Sequence, residues 1–261
     1  MVQVISANRP EWVPVFTGLS VRQFNKLVRI VARRGGKTLA EGRRGRPWAL
    51  SLADRVLLVA VYYRTNLTYR QIALLFGISK SAVDRVVDQI APLLALAPVR
   101  KKHSPDTVLI VDGMLVPTYD RTVTASSKNY RYSVNMQVVI DADTRLTVAV
   151  GTPTPGNRND TRAYRDSGVD QQCRGARVVA DGGYRGNPEV IMPYRKLGKG
   201  RELPAWQEEL NTVHKRVRAR VEHALCQMRC WTILRNCRRA GDGVYYATAG
   251  VALMRNLAIA G

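Results

Sequence analysis

The run TVLIVDG (residues 107–113) constrains the fold more than any other stretch of the chain. Four consecutive apolar residues that close on an acid read as a strand buried on both faces, because a half-exposed strand would alternate with polar residues. RVVADGG (177–183) repeats the pattern. Between them, YSVNMQVVI (132–140) and RLTVAVG (145–151) are rich in strand formers and flank Asp-Ala-Asp-Thr, a hairpin turn. NRNDTRAYRDSGV (157–169) reads as a capped helix, with Asp160 in the cap role beside Asn159 and Thr161. HKRVRARVEHALCQMRCW (214–231) is a basic helix. The order β, β, β, α, β, α predicts a mixed sheet, its first strand central and buried, with helices on both faces.

The N-terminal part is different. Residues 17–33 carry Phe24, Leu27, Val28 and Val31 at helical spacing, and residues 50–66 form a strongly apolar second helix. GGKTLAEGRRGRP (35–47) between them reads as a flexible basic linker. In LTYRQIALLFGISKSAVDRVV (67–87), Thr68 and Gln71 stand in capping-box positions, Gly77 suits a left-handed helix end, and Ser79 caps a second helix. That is a helix-turn-helix pattern over about 68–91, whose second helix offers Lys80, Ser81, Asp84 and Arg85 to a major groove. An ordinary core hairpin of helices fits the same residues. Pro92 and Pro98 close the helical region. The prediction is an all-α domain over 1–98 followed by an α/β domain over 106–261, in the strand order of the ribonuclease-H-like fold.

Charge narrows the partner. Lys and Arg number 41 against 20 Asp and Glu, a net charge of +21. Such a surplus calls for a polyanion, and nucleic acid is the commonest. A membrane surface would need cations on one isolated amphipathic helix, whereas here they run from Arg22 to Arg255. No apolar run approaches about 18 residues and no signal peptide opens the chain, so a soluble cytoplasmic protein is expected. Of four cysteines, Cys226 and Cys230 lie a helical turn apart, but with no C-x-x-C pair and three His, reduced thiols are favoured over structural zinc.

Three acids are candidates for chemistry. Asp112 closes the first buried run and Asp181 the last, and in open α/β sheets functional groups gather at strand ends. Either could instead open a turn, helped by Gly113 or Gly182 and Gly183. Glu222 is the single acid among eight Lys and Arg between His214 and Arg239. It could simply pair with Arg218 four residues earlier, yet an exposed pair is worth under about 1 kcal/mol. Val217, Val221, Ala224, Leu225 and Met228 form that helix's buried stripe, with Glu222 at its border. Three converging carboxylates would repel one another by roughly 1 to 4 kcal/mol per pair at about 4 Å. A divalent cation removes the conflict. Oxygen ligands suit Mg²⁺ or Mn²⁺, and two ions about 4 Å apart serve phosphoryl transfer.

These blocks resemble the DDE transposases of bacterial insertion sequences, in particular the insertion-sequence-five kind, a DDE superfamily endonuclease type. GLSVRQFNKL and LADRVLLVAVYYRTNLTYRQIALLFGISKSAVDRVV are similar to that family's helix-turn-helix region. VLIVDGMLVP, PGNRNDTRAYRDS, VVADGGYRG and RVRARVEHALCQMRCW follow in the family's order, covering nearly the whole chain. The resemblance implies a catalytic and metal-binding triad of Asp112, Asp181 and Glu222. It also implies phosphate contacts from Arg218 and Arg229, and DNA contacts from Lys80, Ser81 and Arg85. Asp160 matches the family's intermediate Asp, the alternative to its cap role, and in the third block Arg229 replaces a Lys and Lys215 stands where Tyr is expected. The implied partners are double-stranded DNA, as terminal inverted repeats and as target, and further copies of the chain in a homo-oligomer. The implied chemistry is cleavage at an element's end followed by strand transfer. A nuclease that cuts without joining, a non-catalytic helix-turn-helix regulator and a decayed element that only binds DNA are the competing readings.

Overall fold

The computed structural model describes residues 2–36, 48–98, 102–126, 132–196, 198 and 202–260. Residues 37–47, most of the expected basic linker, lie outside the described residues. The chain forms two compact units, Met1–Leu96 with Met228–Gly261, and Ala97–Gln227.

The helical unit opens with α1 (Trp12–Thr17) and α2 (Val21–Val31). Ser20 and Gln23 close a capping box at the start of α2, which buries Phe24, Leu27 and Val31. Helix α3 (Leu52–Thr65) is buried all round from Asp54 to Tyr63, as the unbroken apolar run over residues 56–63 requires. The helix-turn-helix follows as expected. In α4 (Tyr69–Phe76), Thr68 and Gln71 form the capping box, and Gly77 takes φ 65°. A Cβ on Gly77 would also stand 2.9 Å from the backbone nitrogen of Gln3, so both conformation and space call for glycine. Ser79 then caps α5 (Lys80–Leu94) by accepting from the Ala82 N–H. Pro92 lies inside the last turn of α5 rather than closing it. The carbonyls of Leu93 and Ala95 accept from Arg34 Nη1, which stabilises that end.

The second unit holds the predicted mixed sheet, in the order β2-β3-β1-β6-β7, with β4 and β5 also on β3. Its strands are β1 (Val108–Pro117), β2 (Ala125–Ser126), β3 (Tyr132–Asp141), β4 (Thr147–Val150), β5 (Thr154–Pro155), β6 (Arg177–Val179) and β7 (Val190–Ile191). The central β1 pairs antiparallel with β3 and parallel with β6. This is the ribonuclease-H-like arrangement expected from the element order. One expectation is corrected here. Asp112 does not end its strand; β1 continues to Pro117 because β3 still pairs with it there. What ends is the parallel ladder with β6, at Ile110↔Val179. Asp112 and Asp181 therefore sit just past the point where the two strands part.

The expected helix over 157–169 is two helices, α6 (Asp160–Asp166) and α7 (Val169–Gln172), broken where Gly168 adopts φ 74°. Tyr164 and Val169 pack into a core with Leu109, Val111, Val139, Val178 and Tyr184. The long α8 (Ala205–Arg229) is tied to the sheet's loops at several points. Arg220 Nη1 donates to the Ala142 carbonyl at 2.5 Å, and Asn211 exchanges two bonds with the Tyr194 backbone.

Beyond α8 the chain returns to the helical unit. The segment 228–261, which the sequence assigns to the α/β domain, packs with the N-terminal helices. Its helix α9 (Gly243–Ala260) lies against α5 and α2, and the Leu96 N–H donates to the Ala249 carbonyl. The reason is composition: α9 is apolar around most of its circumference, and Val244, Val251, Leu253 and Met254 need burial.

Candidate active site

The parting of β1 from β6 creates the site. Asp112 is largely buried, its side chain 19% exposed, and its Oδ1 accepts from the Gly113 N–H at 2.9 Å. Asp181 opens a tight turn after β6, its Oδ1 accepting from the Gly183 N–H at 2.8 Å. The turn-opening role and membership of the acidic site coexist. Glu222 projects from α8, half exposed. Arg218, one turn earlier, joins all three. Its Nη1 stands 3.7 Å from Asp112 Oδ2 and 3.8 Å from Asp181 Oδ2, and its Nη2 pairs with Glu222 Oε1. Two oxygens each that close to one nitrogen cannot be further apart than about twice the distance. The structure thus brings Asp112, Asp181, Glu222 and Arg218 together, and the Arg218–Glu222 helix pair is present as well.

The electrostatics are strained. Burial pushes the Asp112 carboxyl up to about 6, and Asp181 and Asp160 add to the rise, while Arg218 and the Gly113 N–H oppose it. Without Arg218 the cluster would carry like charges in a half-dry notch.

Asp160 is a second correction. It does not cap α6; Asn159 does, accepting from the Arg162 N–H. Asp160 Oδ1 instead accepts from Asn135 Nδ2 at 2.9 Å and Gln137 Nε2 at 3.3 Å. Gln137 is wholly buried; its Nε2 also donates to Asn135 Oδ1, and its Oε1 accepts from the Tyr184 hydroxyl at 2.5 Å. A Cβ on Gly113 would meet Asp160 Oδ1 at 2.5 Å, and one on Gly183 would meet Asp160 Oδ2 at 3.2 Å. The carboxylate is wedged against the two glycines whose N–H groups hold Asp112 and Asp181. Thr161 strengthens the joint, its hydroxyl lying 2.8 Å from the Gly183 carbonyl and 2.7 Å from that of Arg185. A sequence signal for this network exists in β3. Asn135 and Gln137 are two apart, so they share a face, polar residues in the midst of a strand whose neighbours Val134, Met136 and Val138 are apolar.

Residues 111–247 match the DDE superfamily endonucleases, and residues 48–99 match the helix-turn-helix of DDE superfamily endonuclease. The chain belongs to this family, the DDE transposases of insertion sequences. A Streptomyces albus G protein named as a transposase for insertion sequence element IS112 is 56% identical to this DDE endonuclease over 261 residues, all of both chains. One from Microchaete diplosiphon, named as a transposase for insertion sequence element IS702, is 29% identical over 84% of each chain. Among solved structures, the piggyBac transposase synaptic complex with hairpin DNA aligns with 95% of this chain and 74% of its own, at TM-score 0.47 and 9% identity.

The remaining predicted residues of the DDE endonuclease lie in the helical unit. Lys80, Ser81 and Arg85 are exposed on the first turns of α5, and Arg85 also lies 5.8 Å over the Trp48 ring. Arg229 ends α8, exposed. No disulfide joins the cysteines among the described residues; Cys226 and Cys230 are exposed, and Cys173 and Cys237 are buried. Among the described residues no three His, Cys, Asp or Glu stand at metal-holding distances. The three acids are arranged around a guanidinium instead, an all-oxygen donor set of the kind hard divalent ions take. No helix among the described residues is long and apolar enough to cross a membrane.

Proposed function

We propose that this DDE endonuclease binds the terminal inverted repeats of its insertion sequence as duplex DNA, cuts the strand at the element's end and joins it to target DNA. Asp112, Asp181 and Glu222 are the catalytic carboxylates. The observation that supports the reading best is the single guanidinium of Arg218 within 4 Å of all three. Acids so disposed suit a shared cation, and phosphoryl transfer is the chemistry such a cluster serves. The same three residues would hold Mg²⁺ or Mn²⁺, in the two-ion form. When bound, these ions activate water and neutralise charge on the leaving oxygen.

The protein's own share is positioning and charge balance. The Gly113 and Gly183 amides orient Asp112 and Asp181. Arg229 offers a planar fork to phosphate oxygens, and Arg218, engaged by the three acids here, would do so once a cation takes those acids. Lys80, Ser81 and Arg85 enter a major groove. In the first step, water attacks a phosphodiester and leaves a 3′-hydroxyl and a 5′-phosphate. In the second, that hydroxyl attacks a target phosphodiester, so one P–O bond forms as another breaks. Neither step needs an enzyme-bound intermediate. Two DNA ends are held by a homo-oligomer.

Purified protein is incubated with Mg²⁺, linear DNA carrying the terminal repeats and a target plasmid, beside Asp112→Ala. The wild type nicks ends and joins strands; the variant binds without cutting. Binding without metal-dependent cutting by the wild type would favour a regulator, and cutting without joining a plain nuclease.

A further inference from the structure

The C-terminal return places Arg238 and Arg239 beside the helix-turn-helix. Arg239 Nη1 donates to the Tyr69 hydroxyl at 2.7 Å and lies 3.6 Å from Asp84 Oδ1, while Nη2 bonds Asp88. Burial works against this charge, but Tyr69 and Asp88 outweigh it and hold the guanidinium's pKa above its ordinary value. Lys80, Asp84 and Asp88 recur every four residues, so they line one face of α5. Left alone, the two carboxylates would repel a DNA backbone approaching that face. Arg239, bridging both, offsets one of their two charges.

Next to this lock is a cavity of about 700 Å³. Its lining includes Arg70 from the first turn of α4, Lys80 from the first turn of α5, and Arg238 from the return segment. All three are exposed. The acid in the lining is Asp84, one of the two that Arg239 engages. Three cations from stretches far apart in sequence thus border one hollow, against a single carboxylate that Arg239 partly offsets. Such a hollow suits an anionic oxygen group, and duplex DNA presents those in a row.

We propose that Arg238, with Arg70 and Lys80, grips a backbone phosphate of the duplex bound by the helix-turn-helix, so that residues 238–239 form part of the DNA-binding surface. The inference rests on the reading of the helix-turn-helix as the binder of the element's ends. Arg239 is the positioning residue, and Arg238 makes the contact.

The test uses the full chain and fluorescence anisotropy on terminal-repeat duplex and on a scrambled duplex of equal length, over a range of salt. Arg238→Gln is expected to weaken binding to both duplexes alike and to reduce the slope of log K against log salt by about 0.9, the value for one lost phosphate contact. Arg70→Gln should do the same. Both side chains are exposed, so melting temperatures should not move. An unchanged salt slope in a wild-type background that binds DNA overturns the inference. So does a loss confined to the repeat sequence, which would mean base readout. Failure of the wild type itself to bind duplex removes the underlying reading, and the inference with it.

Discussion

Asp160 shows how one side chain organises others. Its first oxygen takes two amide donors from β3, and it presses against Gly113 and Gly183. Removing it would free the two backbone segments that aim Asp112 and Asp181. Asp160→Ala is expected to lower single-turnover cleavage on the order of 10²-fold through misplacement, with DNA affinity unchanged. Asp160→Asn keeps an acceptor for Asn135 and Gln137 and should restore most of the rate; an Asn variant as slow as Ala would show that the charge matters instead. Asp112 gives a pH prediction. Its carboxyl is held up at about 6 in the folded metal-free protein, above the ordinary 3.8. The native state therefore binds the extra proton, and stability falls as pH rises from about 4 to about 6. Asp112→Asn lacks that cost and should gain up to about 3 kcal/mol relative to wild type above pH 6, an upper bound, with little gain below pH 4. Thermal melts of both proteins across that range check it, and parallel curves would count against it.

At the scale of elements, the helix-turn-helix was the most legible part of the chain. Thr68, Gln71, Gly77 and Ser79 act within a few residues of themselves, and each performs the predicted cap or turn. Ser79→Ala should cost about 1 kcal/mol of stability in chemical denaturation. Gly77→Ala should cost more, since it adds a contact at 2.9 Å to a strained φ. A smaller loss for Gly77→Ala than for Ser79→Ala would contradict the geometry. Strand β1 was legible in kind but not in length. Met114, Leu115 and Val116 continue its apolar run, and whether such residues stay in a strand depends on a partner, here β3. The helix after residue 159 was legible too, but Asn159 and Asp160 are both good caps. Only the donors waiting at Asn135 and Gln137 decide which one turns inward.

At the scale of the molecule, the chain's end completes its beginning. Helix α9 packs on α5 and α2, and Gly250 lets it approach the Tyr63 ring, which a Cβ would meet at 3.0 Å. Deleting residues 243–261 should strip hydrogen-exchange protection from α3 and α5 while β1 and β3 amides stay protected. Equal protection of α3 and α5 with and without α9 would refute that dependence. The sequence by itself determined the two architectures, the mixed sheet with its buried first strand, the helix-turn-helix and the basic character that suits DNA. It also singled out the acids Asp112, Asp181 and Glu222 as candidates. Periodicity, capping and charge are properties of neighbours along the chain, so they can be read there. Only the tertiary structure decided that Arg218 sits among those acids, that Asp160 braces them through Asn135 and Gln137, and that Arg238 and Arg239 return to α4 and α5. Those arrangements depend on where the β1–β6 ladder stops and which apolar face finds which partner, and long-range packing sets both.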